Sequence, residues 1–166
     1  MEMNTVTIAL GSNQGNREYF IKEAIQGITE KIGQLQLCSP FYENKAQGFE
    51  SKNLFLNGCI VVQTAMEPHD ILLALKEIES LLGRVKNPSR AYVSRPIDLD
   101  IILYENRMIQ HSELHIPHPR FRERIFVLRP LCDIQPNAID PISCKSVMEL
   151  TLECPDKSEL TIYELK

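Results

Sequence analysis

Residues 5–13 read Thr-Val-Thr-Ile-Ala-Leu-Gly-Ser-Asn, and this stretch begins the fold. The alternation of polar and apolar residues over Thr5–Leu10 predicts a strand that stops at Gly11-Ser12-Asn13. Asn16 is a residue type that often caps helices. After it, apolar residues recur with a helical period up to Gly33, at positions 21, 24, 25, 28 and 32. The chain is therefore predicted to begin with a strand followed by a helix.

The remaining patterns extend this beginning into a recognisable order of elements. Strands are predicted over Leu35–Phe41, Leu54–Thr64, Ile97–Tyr104 and a segment near Arg107–His111, and helices from Pro68 to Gly83 and over Ile125–Cys132. The order β-α-β-β-α-β with a further hairpin is the split βαβ, ferredoxin-like pattern. It predicts an α+β fold, a three-layer α/β/α sandwich with a mostly antiparallel central sheet. The long polar loops 43–53 and 84–96 are expected to close over ligands.

Length and composition predict one domain over residues 1–166, since 43% of the residues are apolar and no linker or repeat interrupts the chain. The chain has no apolar run of about 18 residues, and its polar start leads directly into a strand. We therefore expect a soluble, cytoplasmic protein with no membrane partner. The five cysteines include no C-x-x-C pair and are expected to be reduced packing residues.

Charge is distributed unevenly along the chain. The net charge of −4 argues against nucleic-acid binding, yet residues 84–129 carry nine Lys/Arg against five Asp/Glu. A basic segment inside an acidic protein indicates either a site for a polyanion or a solvated basic face.

The segment Arg95-Pro96-Ile97-Asp98-Leu99-Asp100-Ile101 carries the most chemical information. Because strand side chains alternate, Asp98 and Asp100 are expected to share one face, about 6.6 Å apart along the strand, with their apolar neighbours on the other. Two such carboxylates suit Mg²⁺, which takes one or two protein carboxylates and is completed by substrate phosphates. The alternative is an exposed face that simply carries two acids.

Basic residues flank the two aspartates on both sides in sequence. They are Arg84, Lys86, Arg90 and Arg95 before the pair, and His118, Arg120, Arg122 and Arg124 after it. Arginine offers a planar fork for phosphate oxygens, so this arrangement is typical of a triphosphate site. Because the chain has no G-x-x-x-x-G-K-[ST] sequence, we expect side chains and metal to hold the phosphates.

Several short motifs in order resemble the 6-hydroxymethyl-7,8-dihydropterin pyrophosphokinases, or 2-amino-4-hydroxy-6-hydroxymethyldihydropteridine diphosphokinases. They are residues 10–13, 55–57, 78–79, 83–85, 95–100, 116–120, 124, 126–128 and 130–131, and the match spans nearly the whole chain. The resemblance implies an enzyme of folate synthesis. It would transfer pyrophosphate from ATP to the hydroxymethyl group of 6-hydroxymethyl-7,8-dihydropterin and release AMP. We expect the protein to be a monomer.

The resemblance also implies roles for individual residues at the phosphate end. Arg84, Arg95, Asp98 and Asp100 would be catalytic, and the two aspartates would bind two Mg²⁺ ions. The ATP-binding residues would be Lys76, Glu79, Arg84, Lys86, Arg95, Ile101, His118 and Arg124. His118 is also open to an ordinary core role, but the prolines on either side of it favour a ligand-facing one.

The pterin would be bound by Asn44, Lys45, Gln47, Phe55, Asn57, Tyr92 and Phe126, with the two phenylalanines as stacking faces. The amide of Asn57 both donates and accepts, which suits the edge of a pyrimidinone ring. Two stretches depart from the family. Asn44-Lys45 stands where the family often has Thr-Pro, and residues 91–94 stand where it commonly has Trp-Gly-Pro, so Tyr92 is expected to replace the tryptophan.

Two other classes of function stay open from the residues alone. One is a noncatalytic ferredoxin-like module that binds a metal or an anion. The other is a metal-dependent phosphohydrolase or nuclease that uses the same aspartates without a ring pocket.

Overall fold

The computed structural model describes residues 2–44, 54–83 and 96–166. Its strands are β1 (Asn4–Ser12), β2 (Gln34–Cys38), β3 (Phe41–Asn44), β4 (Phe55–Thr64), β5 (Asp98–Tyr104), β6 (Ile109–Gln110), β7 (His115–Ile116) and β8 (Thr161–Tyr163). Its helices are α1 (Arg17–Lys31), α2 (Pro68–Leu81), α3 (Ile125–Ile134) and α4 (Val147–Glu153), with a 3-10 turn at Phe121–Glu123. Most of the two predicted closing loops lies outside the described residues.

The main sheet has the order β5-β1-β4-β3-β8, and β2 also pairs with β4. Every pair of neighbouring strands in it is antiparallel. The hairpin-like pair β6 and β7 forms a separate two-stranded sheet. The predicted α+β class and antiparallel sheet are therefore confirmed.

The two faces of the main sheet are covered by different helices. On one face, α1 and α2 pack through Ile28 and Leu75 onto core residues such as Ile8 of β1. On the other face, α3 and α4 pack through Leu128 and Leu150 in a second cluster. Because successive side chains of a strand point to opposite faces, β1 contributes side chains to both cores. The predicted three-layer sandwich is confirmed.

Helix α1 begins where the sequence indicated. The side chain of Asn16 accepts a hydrogen bond from Tyr19 N at 3.1 Å, which satisfies one of the free N–H groups of the first turn. Its buried residues Ile21, Ala24 and Ile28 form the predicted apolar stripe.

The predicted single strand over Leu35–Phe41 is wrong, because two strands occupy this stretch. Pro40 has no N–H to donate to a ladder, and the chain leaves the sheet at Ser39. Ser39 N donates to Cys59 O, and Ser39 Oγ accepts from Cys59 N, both at 2.9 Å. These bonds hold the break against β4, so β2 and β3 both pair with that long strand.

The C-terminal part contains elements that the sequence patterns did not predict. They are β7, the 3-10 turn, α4 and β8. Each of these elements is seven residues or shorter, too short to show a clear period. The predicted strand near Arg107–His111 is reduced to Ile109–Gln110.

Gly33 provides a test of the packing between α1 and the sheet. A Cβ at this position would lie 2.0 Å from Gln63 O, a backbone atom that cannot move aside alone. We expect Gly33→Ala to lower the free energy of unfolding by about 2 kcal/mol, measured by urea denaturation. The matched control is Gly27→Ala, whose Cβ would lie 3.3 Å from the Ile78 side chain. Equal stability of both variants would contradict this account of Gly33.

Candidate active site at one end of the sheet

Asp98 and Asp100 lie on the face of β5 that is covered by α3 and α4. In the pairing of β5 with β1, Asp98 lies opposite Gly11 and Asp100 opposite Ala9, and Ala9 belongs to the core under α3 and α4. Leu99 and Ile101 belong to the core on the other face. Asp98 is half-buried and Asp100 is exposed. The expected common face is therefore present, at the start of the strand.

Glu79 supports this segment from the opposite face of the sheet. Its side chain is only 3% exposed, and its Oε2 accepts a hydrogen bond from Leu99 N at 3.0 Å. A buried carboxylate is costly unless its oxygens are hydrogen-bonded. This bond of Glu79 holds the backbone of β5 between the two aspartates. The expected role of Glu79 in binding ATP stays a prediction.

Arg124 is a half-buried cation near the two aspartates. Burial and the neighbouring Arg120 lower the pKa of its guanidinium, while Asp100, Glu123 and Asp98 act in the opposite direction. Its Nε is buried and has no hydrogen-bond partner among the described residues. Since a buried polar group without a partner is unfavourable, this face of the guanidinium suits an anionic ligand.

His118 is held at the outer edge of β5 as a neutral imidazole. Its backbone N donates to Ile102 O at 3.0 Å, and its Nδ1 accepts from Arg120 N at 3.1 Å. Burial, together with Arg124, Arg120 and further neighbouring cations, lowers the pKa of His118 to about 4. Because Nδ1 is the acceptor, Nε2 carries the proton and can donate to a ligand.

Arg122, one of the flanking cations noted in the sequence, is not directed at a ligand. Its Nε and Nη2 donate to the two oxygens of Asp140 at 2.6 and 2.8 Å. Burial alone would raise the pKa of Asp140, but the bonds from Arg122 and Ser143 hold it at about 2. This fork fixes the turn before α4, and the sequence carried no signal for it.

The predicted pterin residues Asn44, Phe55 and Asn57 lie together at the ends of β3 and β4. Asn44 lies opposite Phe55 in the ladder, and Asn57 Nδ2 donates to Asn44 Oδ1. Both asparagines are buried, and this side of β4 also carries Cys59, which packs under α3. Phe126, at the start of α3, is half-buried, and Arg124 Cζ lies 5.7 Å from its ring centroid.

Gly11 lies between two groups of residues. We call Asn44, Phe55 and Asn57 the asparagine group, and Asp98 and Asp100 the aspartate group. On β1, Gly11 lies opposite Asn57 on one side and opposite Asp98 on the other. A Cβ on Gly11 would lie 2.6 Å from Asn57 Oδ1. The absence of a side chain at residue 11 therefore leaves room for the Asn57 amide. The sequence marked Gly11 only as part of a motif, since the cross-strand row that gives it a role depends on tertiary pairing.

The structure does not bring every predicted residue to this face. Ile101 has its side chain in the core under α1 and α2, and Lys76 is exposed on α2. Lys45, Gln47, Arg84, Lys86, Tyr92 and Arg95 lie outside the described residues. The described part of the site therefore consists of the aspartate pair, His118, Arg124, Phe126 and the asparagine group.

Comparison with known proteins defines the class as pyrophosphate-transferring kinases of folate synthesis. The chain belongs to the 7,8-dihydro-6-hydroxymethylpterin-pyrophosphokinase family, whose model matches residues 7–136. It is 38% identical over 151 residues to the 2-amino-4-hydroxy-6-hydroxymethyldihydropteridine pyrophosphokinase of Aquifex aeolicus, covering 91% of this chain and 92% of that protein. The predicted family and its pyrophosphokinase activity in folate synthesis are confirmed.

Some relatives are much longer than this chain. The match to the folic acid synthesis protein fol1 of Pneumocystis carinii is 40% identical over 147 residues, which is 89% of this chain but 20% of that protein. Among solved structures, Plasmodium falciparum HPPK-DHPS with pteroate has a TM-score of 0.73 at 15% identity, covering 92% of this chain and 44% of that one. This structural likeness supports the fold.

Within the described ranges, no helix is both long and apolar enough to cross a membrane.

Gly11→Ala tests the row that joins the two halves of the site. Because the atom in the way is the end of a side chain, we expect the fold to adapt while the Asn57 amide moves. The KM for the pterin should rise by about tenfold or more, with only a small change in unfolding free energy. Gly58→Ala is the contrast, since its Cβ would lie 2.5 Å from the Phe41 ring and should mainly reduce stability. An unchanged pterin KM in Gly11→Ala would contradict the role given to Gly11.

The protonation of His118 can be followed directly by NMR. In the free protein its imidazole should titrate near pH 4, because burial and the surrounding cations disfavour the charged form. An anionic ligand beside Nε2 favours the charged form, so saturating inorganic pyrophosphate should raise this pKa. The exposed His69 serves as the control and should not respond. A His118 titration that is identical with and without pyrophosphate would place the anion elsewhere.

Proposed function

We propose that the row Asn57–Gly11–Asp98 is the axis of the active site, with the pterin at the asparagine end and the triphosphate of ATP at the aspartate end. The observation that carries this proposal is the placement of both groups on one face, on strands joined by Gly11. Neighbouring strands lie about 4.8 Å apart, so the two groups are about 10 Å apart. This distance allows two substrates to meet between them.

The donor set at the aspartate end fits Mg²⁺. Among the described residues no group of three or more His, Cys, Asp or Glu side chains gathers to hold a metal, so an ion held by protein alone is not supported. Mg²⁺ needs only one or two carboxylates when substrate phosphates complete its coordination. Asp98 and Asp100 would hold the metal. The family resemblance implies that they hold two Mg²⁺ ions. A metal ion bound there would supply positive charge against the phosphate oxygens, where negative charge develops.

Arg124 and His118 act on the same phosphate groups. The guanidinium of Arg124 offers an N–H that no described residue uses, and a phosphate oxygen provides an acceptor for it. The neutral imidazole of His118 donates from Nε2 without adding a charge that burial would oppose. On the basis of the family resemblance, we propose that the triphosphate is also bound by Arg84, Lys86 and Arg95.

The asparagine end binds and orients the pterin. A buried amide must find partners, and Asn57 retains hydrogen-bonding capacity beyond its bond to Asn44, which suits the polar edge of the ring. Phe55 and Phe126 provide apolar faces for stacking. With the ring fixed, the hydroxymethyl oxygen attacks the β-phosphorus of ATP in line and AMP leaves, so catalysis depends mainly on positioning.

The metal-dependent phosphohydrolase left open by the residues alone is not supported, since the chain belongs to the pyrophosphokinase family. Such a hydrolase would use the same aspartates and release inorganic phosphate or ADP from ATP without a pterin. The buried, hydrogen-bonded pair Asn44 and Asn57 favours the kinase, because hydrolysis of ATP at the aspartates requires no second polar binding group. The single domain, the monomeric state and the cytoplasmic location stay predictions from the sequence.

Asp98→Asn and Asp100→Asn test the proposed metal end. Each should lower kcat/KM for pterin-dependent AMP release by about 10²-fold or more, since a group that stabilises the transition state is lost. AMP formation should require both Mg²⁺ and hydroxymethyldihydropterin, and EDTA should abolish it. The assay separates AMP, ADP and inorganic phosphate by chromatography.

Asp70→Asn is the matched control, because Asp70 is an exposed aspartate in the first turn of α2. It should keep wild-type activity. Full activity in both site variants would remove the aspartates from the mechanism, and ADP or phosphate released without the pterin would favour the hydrolase.

A further inference from the structure

Arg17 joins two strand ends on the side of the sheet away from the proposed pterin pocket. It is the first residue of α1, and its Nη1 lies 2.7 Å from Glu43 Oε2 and 2.9 Å from Leu54 O. Glu43 belongs to β3, and Leu54 comes immediately before β4. One guanidinium therefore bridges the end of one strand and the beginning of the next.

The two bridged residues each precede a proposed pterin residue. Glu43 is followed by Asn44 and Leu54 by Phe55, and these two followers lie opposite each other in the β3–β4 ladder. Strand side chains alternate, so Glu43 points away from the face that carries Asn44. Arg17 thus contacts the frame of the pocket from behind and does not line it.

The C-terminal strand holds Arg17 in this position. β8 pairs with β3, and Tyr163 lies opposite Phe41. The Arg17 Cζ lies 5.3 Å from the centroid of the Tyr163 ring, and Tyr163 OH donates to Glu18 Oε1 at 2.6 Å. An aromatic face favours a cation placed over it, and the hydroxyl bond fixes the ring.

The Arg17–Glu43 pair is better sheltered than an ordinary surface ion pair. The two side chains are 21% and 22% exposed, whereas the pair of Lys31 and Glu77 has 37% and 59%. Exposed pairs contribute little because water screens them and their side chains lose entropy. A sheltered arginine with both an anionic and a carbonyl acceptor holds a more definite geometry.

We propose that Arg17, held by Tyr163, is a positioning residue for the pterin: it fixes the ends of β3 and β4 so that Asn44 and Phe55 meet the ring in register. This inference rests on the proposed pterin site. It also gives the C-terminal strand a role beyond covering the edge of the sheet. Arg17 contacts no reacting atom, and its effect reaches the substrate only through Asn44 and Phe55.

The test is a comparison of Michaelis constants in the enzyme of residues 1–166. Arg17→Gln should raise the KM for hydroxymethyldihydropterin by about tenfold, because small displacements of binding groups are costly, and leave the ATP KM within about twofold. Arg17→Lys should fall between, since lysine keeps the charge but lacks the planar guanidinium that packs over the Tyr163 ring. Tyr163→Phe keeps the ring and should have a smaller effect than Tyr163→Ala.

Arg107→Gln is the matched control. Arg107 Nη1 lies 2.9 Å from Glu67 Oε2, and its Cζ lies 5.5 Å from the ring centroid of Tyr104. The same kind of ion pair and ring contact therefore exists at the opposite end of the sheet, beyond the last residue of β5. Arg107→Gln should leave both KM values unchanged, even if its urea midpoint falls as much as that of Arg17→Gln.

The possible outcomes separate the inference from the proposed function. An active wild type with a pterin KM that Arg17→Gln does not change would overturn the inference alone. A parallel rise of both KM values, matched by Arg107→Gln, would also overturn it, since the effect would then be general. A wild type that forms no AMP with the pterin would overturn the proposed function and this inference with it.

Discussion

The antiparallel register of β4, β1 and β5 is the constraint on which the site depends. It sets Asn57, Gly11 and Asp98 in one row and Cys59, Ala9 and Asp100 in the next. Shifting either pairing by one residue would move these side chains to the opposite face, since the side-chain period of a strand is two. The apolar residues between them, such as Leu10 and Leu99, resist that shift because they fill the core under α1 and α2. Burial on one face therefore specifies chemistry on the other.

Support for the site comes largely from behind the sheet. Glu79 of α2 bonds the backbone of β5 between the two aspartates, and Arg17 of α1 bonds the ends of β3 and β4. Both helices lie on the face opposite the proposed substrates. On the substrate face, α3 and α4 cover the middle of the sheet, and the proposed site lies at the strand ends, whose groups are held by rigid elements behind them.

Much of this arrangement could be predicted from local patterns in the sequence. The alternation around Asp98 and Asp100 placed both on one face, and the helical periods after Asn16 and Pro68 located α1 and α2. The break at Pro40 is not predicted by the period, because the alternation continues across it. The proline itself is the signal of a break, since it has no N–H for the ladder. The short C-terminal elements carry too few residues for a period to be read.

Residues whose roles depend on distant partners could not be predicted in this way. Arg122 stands in the basic run like one more phosphate ligand, yet its Nε and Nη2 donate to Asp140, 18 residues later. Gly11 and Arg17 show the converse, since an ordinary glycine and a surface arginine gain roles only when β4 and β8 are folded beside them. Counting the charged residues near a motif therefore gives too many ligand-binding residues. It also leaves out the frame, which is the set of residues that hold the binding residues in place. In this site the frame is what sets the distance between the asparagine pair and the aspartate pair, and transfer between two bound substrates depends on that distance.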